Sequence, residues 1–213
     1  MELQSVVGNV LLVAIAGLLG TIPTGWLVVR RLRGVDLRTL GSGNIGATNV
    51  VRAVGWTAGI LTLLIDAFKG ALVPLILTVM ECDSESQRLA WQILAGMAAL
   101  GGNIFNPFLG FRGGKGVGTA IGVTAVIAPV PMVFSVIGFA AGFGAARIVS
   151  VGSLTAGTAF SVSALVIYLA GDPRPPVGWL AFCVGMGLMV FVTHRSNIRR
   201  LLAGQETRLT KHD

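Results

Sequence analysis

The sequence is short of charge. Only 12% of its 213 residues are Asp, Glu, Lys or Arg, about half the roughly 25% usual for a soluble domain. Hydrophobic residues make up 54%, and mean hydropathy is +0.81. So little polar surface cannot cover a water-facing globule, which excludes a soluble, a disordered and a fibrous chain. Cysteine and histidine are scarce too. Cys82 and Cys183 lie in different segments with no CxxC, so a disulfide framework and a four-ligand zinc site are both excluded. His194 and His212, the two histidines, are too few for a His-rich metal site. No fixed-period repeat, linker or composition shift marks a second domain. The expectation is one membrane-embedded domain over 1–213, with 194–213 as a short basic tail.

Glycine is abundant: 30 residues, about twice the usual share of roughly 7%. It shows no every-third period, so collagen is excluded. Small residues instead suit an integral membrane helix bundle, where they let backbones approach closely. Apolar runs occupy 6–29, 56–80, 89–108, 117–128, 132–146, 151–170 and 177–193. Most approach the ~20 residues that span the hydrocarbon. The fourth and fifth are short and separated by Pro129-Val130-Pro131, a helix breaker. The pattern predicts an all-α integral membrane protein with seven transmembrane helices. The first run lacks a charged leader and is too long for a signal peptide, so it reads as a retained span.

Cations set the orientation. With seven spans, one side collects Arg30, Arg31, Arg33, Arg38, Arg52, Arg112, Lys115, Arg147, Arg195, Arg199, Arg200, Arg208 and Lys211, leaving only Arg88 and Arg174 opposite and Lys69 within a span. The rich side is cytoplasmic by the positive-inside rule, so the N-terminus is outside and the C-terminus cytoplasmic. The net charge of +7 is thus a topology signal, and no nucleic-acid partner is expected.

Three polar clusters fall on that cytoplasmic side. Residues 41–49 read Gly-Ser-Gly-Asn-Ile-Gly-Ala-Thr-Asn, followed by Arg52. Gly41, Gly43 and Gly46 spell GxGxxG, but no apolar strand precedes them and Asp66 lies in a long apolar helix, so a dinucleotide fold is rejected. On a helix starting near Ala47, Thr48 and Arg52 share a face, with Arg52 offering a fork of donors suited to phosphate. The bland alternative is a flexible loop that caps the next helix. Residues 111–119 read Phe-Arg-Gly-Gly-Lys-Gly-Val-Gly-Thr. Glycines flanking Lys115 free the backbone to form an anion cradle before a helix at about Val117. The spacing from Gly110 to Gly114 is one residue short of a Walker A loop; the alternative is a positive-inside loop broken by glycine. In the tail, His194 and Asn197 stand one helical turn apart and can face one ligand, though a cation at a helix C-terminus explains His194 equally well. Arg195, Arg199 and Arg200 read as lipid headgroup contacts. Asp66 and Lys69 lie deep in a span at i,i+3, either as a functional pair or as a structural ion pair supporting the loops.

Together these segments resemble the bacterial membrane acyl-phosphate:glycerol-3-phosphate acyltransferase family (PlsY type). The resemblance runs in order through Leu-Gly-Thr-Ile-Pro-Thr-Gly at 19–25, the Gly-Ser-Gly-Asn stretch with Arg52, Asp-Ala-Phe-Lys-Gly at 66–70, the Lys115 loop, and the tail from His194 to Glu206. It implies transfer of a fatty acyl group from acyl phosphate to the 1-hydroxyl of glycerol 3-phosphate, giving lysophosphatidic acid and phosphate, the first acylation of phospholipid biosynthesis. It also implies a multi-pass protein of the bacterial cytoplasmic (inner) membrane, without cofactor or metal, acting on the two anions acyl phosphate and glycerol 3-phosphate amid membrane lipid as a monomer or weak oligomer. By resemblance Ser42, Lys115, His194 and Asn197 are catalytic. Asn44, Thr48, Asn49, Arg52, Gly113, Gly114, Gly116 and Thr119 bind substrate. Asn103 and Ser196 depart from the family pattern, which usually has His and Glu there, and so argue against a base at either position. No HxxxxD motif and no Ser-His-Asp set is present. The hydroxyl proton goes either to His194, which titrates near neutrality, or to the donor's own phosphate; neighbouring cations disfavour a charged His194 and so favour the phosphate. A transporter would place its polar site at the midplane among repeats, and a CDP-alcohol phosphotransferase would need several aspartates where Asp66 stands alone.

Overall fold

The computed structural model describes residues 3–209, which are helical throughout apart from loops and two 3-10 turns; no strand occurs among them. The helices are α1 (Leu3–Gly20), α2 (Thr24–Arg33), α3 (Ala47–Val54), α4 (Trp56–Val79), α5 (Glu85–Ile104), α6 (Val117–Ile127), α7 (Pro129–Ala146), α8 (Val149–Ala170), α9 (Val177–Thr193) and α10 (Arg195–Leu202). They fall into two compact units that divide after Ile127.

In the first unit the apolar run expected as one span is broken into α1 and α2. Pro23 has no N–H to donate and pushes Ile22 out of the helical region, so the chain cannot continue through it. α1 packs on α5 and α4 on α6 with backbones almost touching. A side chain on Gly102 would strike the carbonyl of Gly17, and one on Gly122 would strike that of Ala67. In a bilayer such contact gives packing that larger residues would prevent. A second layer forms around Val29, Leu37, Ile45, Val50, Ala53 and Leu109, all buried. It lies beneath both glycine-rich loops and joins α2, α3 and the 3-10 turn Pro107–Leu109.

In the second unit α7 packs on α8 and α8 on α9. The expected break between the two short runs falls at Ala128 (φ −142°, ψ 66°), just before Pro129. The chain bends by 56° between α9 and α10. The tail then returns, and the N–H of Leu209 donates to Arg147 O at 3.0 Å.

Large apolar side chains point outward from these helices, among them Leu64, Phe68, Val136, Leu165 and Leu188. A water-soluble protein does not expose such continuous apolar surface. Four stretches are long and apolar enough to cross a membrane: Ser5–Arg33, Trp56–Val79, Pro129–Ala146 and Val149–Ala170; α9 with α10 makes a bent fifth. α6, at 11 residues, is only about 16 Å long at 1.5 Å per residue, well under the ~30 Å hydrocarbon thickness.

Candidate active site

Asn49 organises the first loop. α3 begins at Ala47, as its sequence predicts, and places Asn49, 2% exposed, beneath the loop. Its Nδ2 donates to the carbonyls of Leu40 (2.9 Å), Asn44 (2.9 Å) and Leu37 (3.3 Å), and its Oδ1 accepts from the N–H of Ser42 at 3.1 Å. The side-chain oxygen of Asn44 in turn accepts from the N–H of Gly46 at 2.9 Å. The amide of Asn49 is thus spent on shaping the loop, and Asn44 on closing it. Ser42 is left exposed on the rim, and Thr48 half-buried, one turn before half-buried Arg52.

The second loop meets the first over their shared core. Arg38 spans the two: its Nη1 donates to Leu109 O at 3.3 Å, while Nε and Nη2 hold Asp36 at 3.1 and 2.6 Å. The Arg38 guanidinium keeps the Asp36 carboxyl well below the usual carboxylate range, outweighing its partial burial. The glycine N–H groups are used differently from the sequence expectation. Those of Gly113 and Gly114 donate at 3.1 Å to Ile104 O and Asn103 O, closing the loop onto the end of α5 instead of facing an anion. A helix end leaves carbonyls unpaired, and these two find their partners there. Gly116 follows with φ 75°, a left-handed conformation easy for glycine alone. Half-buried Lys115 stands just before that turn, two residues ahead of the first residue of α6. Thr119, in α6, is fully buried where α6 meets Gly70 of α4, and its hydroxyl has no hydrogen-bond partner among the described residues.

Under these loops lies the intramembrane pair. Lys69 Nζ sits 2.7 Å from Asp66 Oδ1, which also accepts from Thr24 Oγ1 at 2.9 Å. Lys69 donates as well to Ile22 O at 2.8 Å. Of the two readings offered by the sequence, the geometry favours the supporting ion pair: it fastens α4 to the α1–α2 break. Asn106, fully buried, fastens the other side by donating from Nδ2 to Thr21 O.

The third cluster belongs to the second unit. His194, 3% exposed, occupies the bend between α9 and α10. Its Nδ1 lies 2.9 Å from Val190 O. A carbonyl only accepts, so Nδ1 carries the proton and Nε2 holds the lone pair of the neutral ring. Asn197, 6% exposed, donates from Nδ2 to Glu206 Oε1. Glu206 also accepts from Ser150 Oγ (2.8 Å) and from Arg200 Nε (2.6 Å). Burial pushes its carboxyl up, but those bonds and the charge of Arg200 together bring it below the ordinary value. Arg200, expected at lipid headgroups, is instead engaged with this carboxylate. Glu206 escaped the sequence reading; the available signal was an acid set between the cations Arg195, Arg199 and Arg200 on one side and Arg208 on the other.

Residues 10–204 match the family model described as glycerol-3-phosphate acyltransferase. A glycerol-3-phosphate acyltransferase of Anaeromyxobacter sp. (strain K) is 42% identical over 93% of this chain and 96% of its own. Its counterpart in Geobacter sulfurreducens is 40% identical over 94% and 97%. Among solved structures, the crystal structure of the integral membrane glycerol 3-phosphate acyltransferase PlsY, in its glycerol 3-phosphate form, is similar with TM-score 0.82 and 38% identity over 95% of this chain and 96% of that one. A lysophosphatidic acid form of PlsY is similar with TM-score 0.79 and 37% identity over the same shares.

Proposed function

The chain belongs to the glycerol-3-phosphate acyltransferase family of multi-pass membrane proteins of phospholipid biosynthesis, and we propose that its acyl donor is acyl phosphate. In this reading the 1-hydroxyl oxygen of glycerol 3-phosphate attacks the acyl carbonyl carbon. The carbon–oxygen bond to phosphate breaks, inorganic phosphate leaves, and lysophosphatidic acid is formed. The donor arrives activated, so no covalent enzyme intermediate is needed.

The observation that carries this reading is the junction of two glycine-rich loops over one apolar layer, with Lys115 beside a helix N-terminus and Arg52 beside Thr48. Bringing anions together in a partly dry site is costly, and fixed cations offset that repulsion. Positioning then supplies much of the rate. We assign phosphate binding to Lys115, Arg52, Thr48, Ser42, Gly116 and the start of α6, and the shaping of the loops to Asn44, Asn49, Gly113 and Gly114. Thr119 is assigned to the donor phosphate by resemblance, and its unpartnered hydroxyl is consistent with that. His194 and Asn197 are assigned to glycerol 3-phosphate on the same ground, and a His194 variant tests the first of them. The departing phosphate takes the hydroxyl proton.

We also propose seven spans, with the N-terminus outside, the loops and tail in the cytoplasm, and the bacterial inner membrane as the location. The cation distribution supports this.

The test is turnover in detergent with acyl phosphate and labelled glycerol 3-phosphate. Product is expected with acyl phosphate and none with acyl-coenzyme A. Chelators should leave the rate unchanged, since no group of three or more His, Cys, Asp or Glu gathers among the described residues. Turnover with the coenzyme A thioester would overturn the donor assignment.

A further inference from the structure

Phe105, Phe108 and Phe111 are 64%, 75% and 70% exposed, all within the connection that leads from α5 to the Lys115 loop. They continue an outward apolar line on α5 through Leu94 and Met97, 50% and 48% exposed, and the half-buried Gly101. Within α5, Leu94, Met97 and Gly101 are three and four residues apart, the spacing of one helix face. The connection is rigid. Between the aromatics, Asn106 and Leu109 are buried; Asn106 is tied to Thr21, and Asn106 O accepts from the N–H of Phe111 at 2.8 Å. Phe111 is held at φ 60°, a left-handed conformation that bulky L-residues rarely adopt. Backbone strain that keeps a large aromatic outside a folded connection points to function. Exposed Arg112 follows directly.

We infer that the 105–112 connection is a wedge seated in the lipid surface, with its three phenylalanines in the boundary between headgroups and acyl chains and Arg112 among the headgroups. In water, three adjacent exposed phenylalanines would cost free energy; at a bilayer boundary the same rings are favourably placed. Continuity with the outward face of α5 in an integral membrane protein identifies lipid as the occupant. The inference rests on the membrane embedding of the fold and is independent of the acyl donor.

The test is a depth measurement on the full chain carrying Cys82→Ser and Cys183→Ala. A nitroxide is attached at Phe108→Cys and, in a second protein, at Phe105→Cys. Each is reconstituted into vesicles of phosphatidylcholine and phosphatidylglycerol, and retained acyltransferase activity marks it as folded. Oxygen is expected to relax both labels more strongly than a nickel chelate supplied on both sides of the membrane, with the order reversed for a label at Arg208→Cys. Chelate-dominated relaxation at either phenylalanine position, as for a face that awaits a soluble partner, would overturn the wedge.

Discussion

Lys69 donates to the main-chain carbonyl of Ile22 at 2.8 Å while paired with Asp66. A cation 4% exposed therefore stabilises a helix break 47 residues away. Lys69→Met would leave the buried Asp66 carboxylate without its cation and the Ile22 carbonyl with the Thr24 N–H, at 3.0 Å, in place of two donors. Breaking a buried pair from one side costs about 3–5 kcal/mol, so unfolding of the purified protein by heat or denaturant should shift by that order. Asp66→Asn with Lys69→Met should recover a large part of the loss. Full stability in the single variant would show that the pair supports nothing.

Lys115→Ala removes a half-buried cation while leaving the Gly113 and Gly114 hydrogen bonds that shape the loop. Losing a charge-assisted contact costs about 1.5–3 kcal/mol, or about 10–150-fold in rate. Turnover should fall at least that far with the melting temperature unchanged. Near wild-type turnover in a folded variant would remove Lys115 from the site.

His194→Asn separates orientation from proton transfer. The amide can still donate to Val190 O but cannot act as a base near neutral pH. If the donor phosphate takes the proton, measurable turnover should remain, with KM for glycerol 3-phosphate raised and the pH–rate profile keeping its shape. A drop of about 10²–10⁴-fold in kcat, with substrate still bound, would instead identify His194 as the base.

Glu206 makes the tail sensitive to acid. Its carboxyl is lowered in the folded protein, so its contribution to stability is present above the unfolded value of about 4.3 and is lost as pH falls through the lower folded value. Limited proteolysis after Arg208 should therefore be slow at neutral pH and speed up only in strong acid. Glu206→Gln should release the tail already at neutral pH, because an amide offers one acceptor oxygen to Ser150, Asn197 and Arg200 where the carboxylate offers two. Equal cleavage of both proteins at pH 7 would deny the carboxylate this role.

Legibility of the sequence differed between fold and site. Hydropathy located every long helix, because burial in lipid demands long apolar runs. The start of α3 at Ala47 was legible from Gly46 and the polar residues that flank it. The division of labour within the loops was not. Nothing in the spelling of Gly113-Gly114 says whether their N–H groups face a ligand or the carbonyls of Asn103 and Ile104; that depends on where α5 ends in space. Glu206 was hidden for the same reason, since its partners Ser150 and Asn197 are 56 and 9 residues distant.

The bonds from Gly113 and Gly114 to the end of α5 also bear on binding thermodynamics. Ordering a free backbone costs about 1–2 kcal/mol per residue. In this chain the loop acquires its shape during folding, as an extension of a helix terminus. Under the proposed assignment, a phosphate arriving at Lys115 would meet a template already formed, and little of its binding energy would be diverted to ordering the polypeptide. Loosening that template, for example through Gly113→Ala, whose methyl would collide with Asn103 O, should weaken phosphate affinity without touching any charged group.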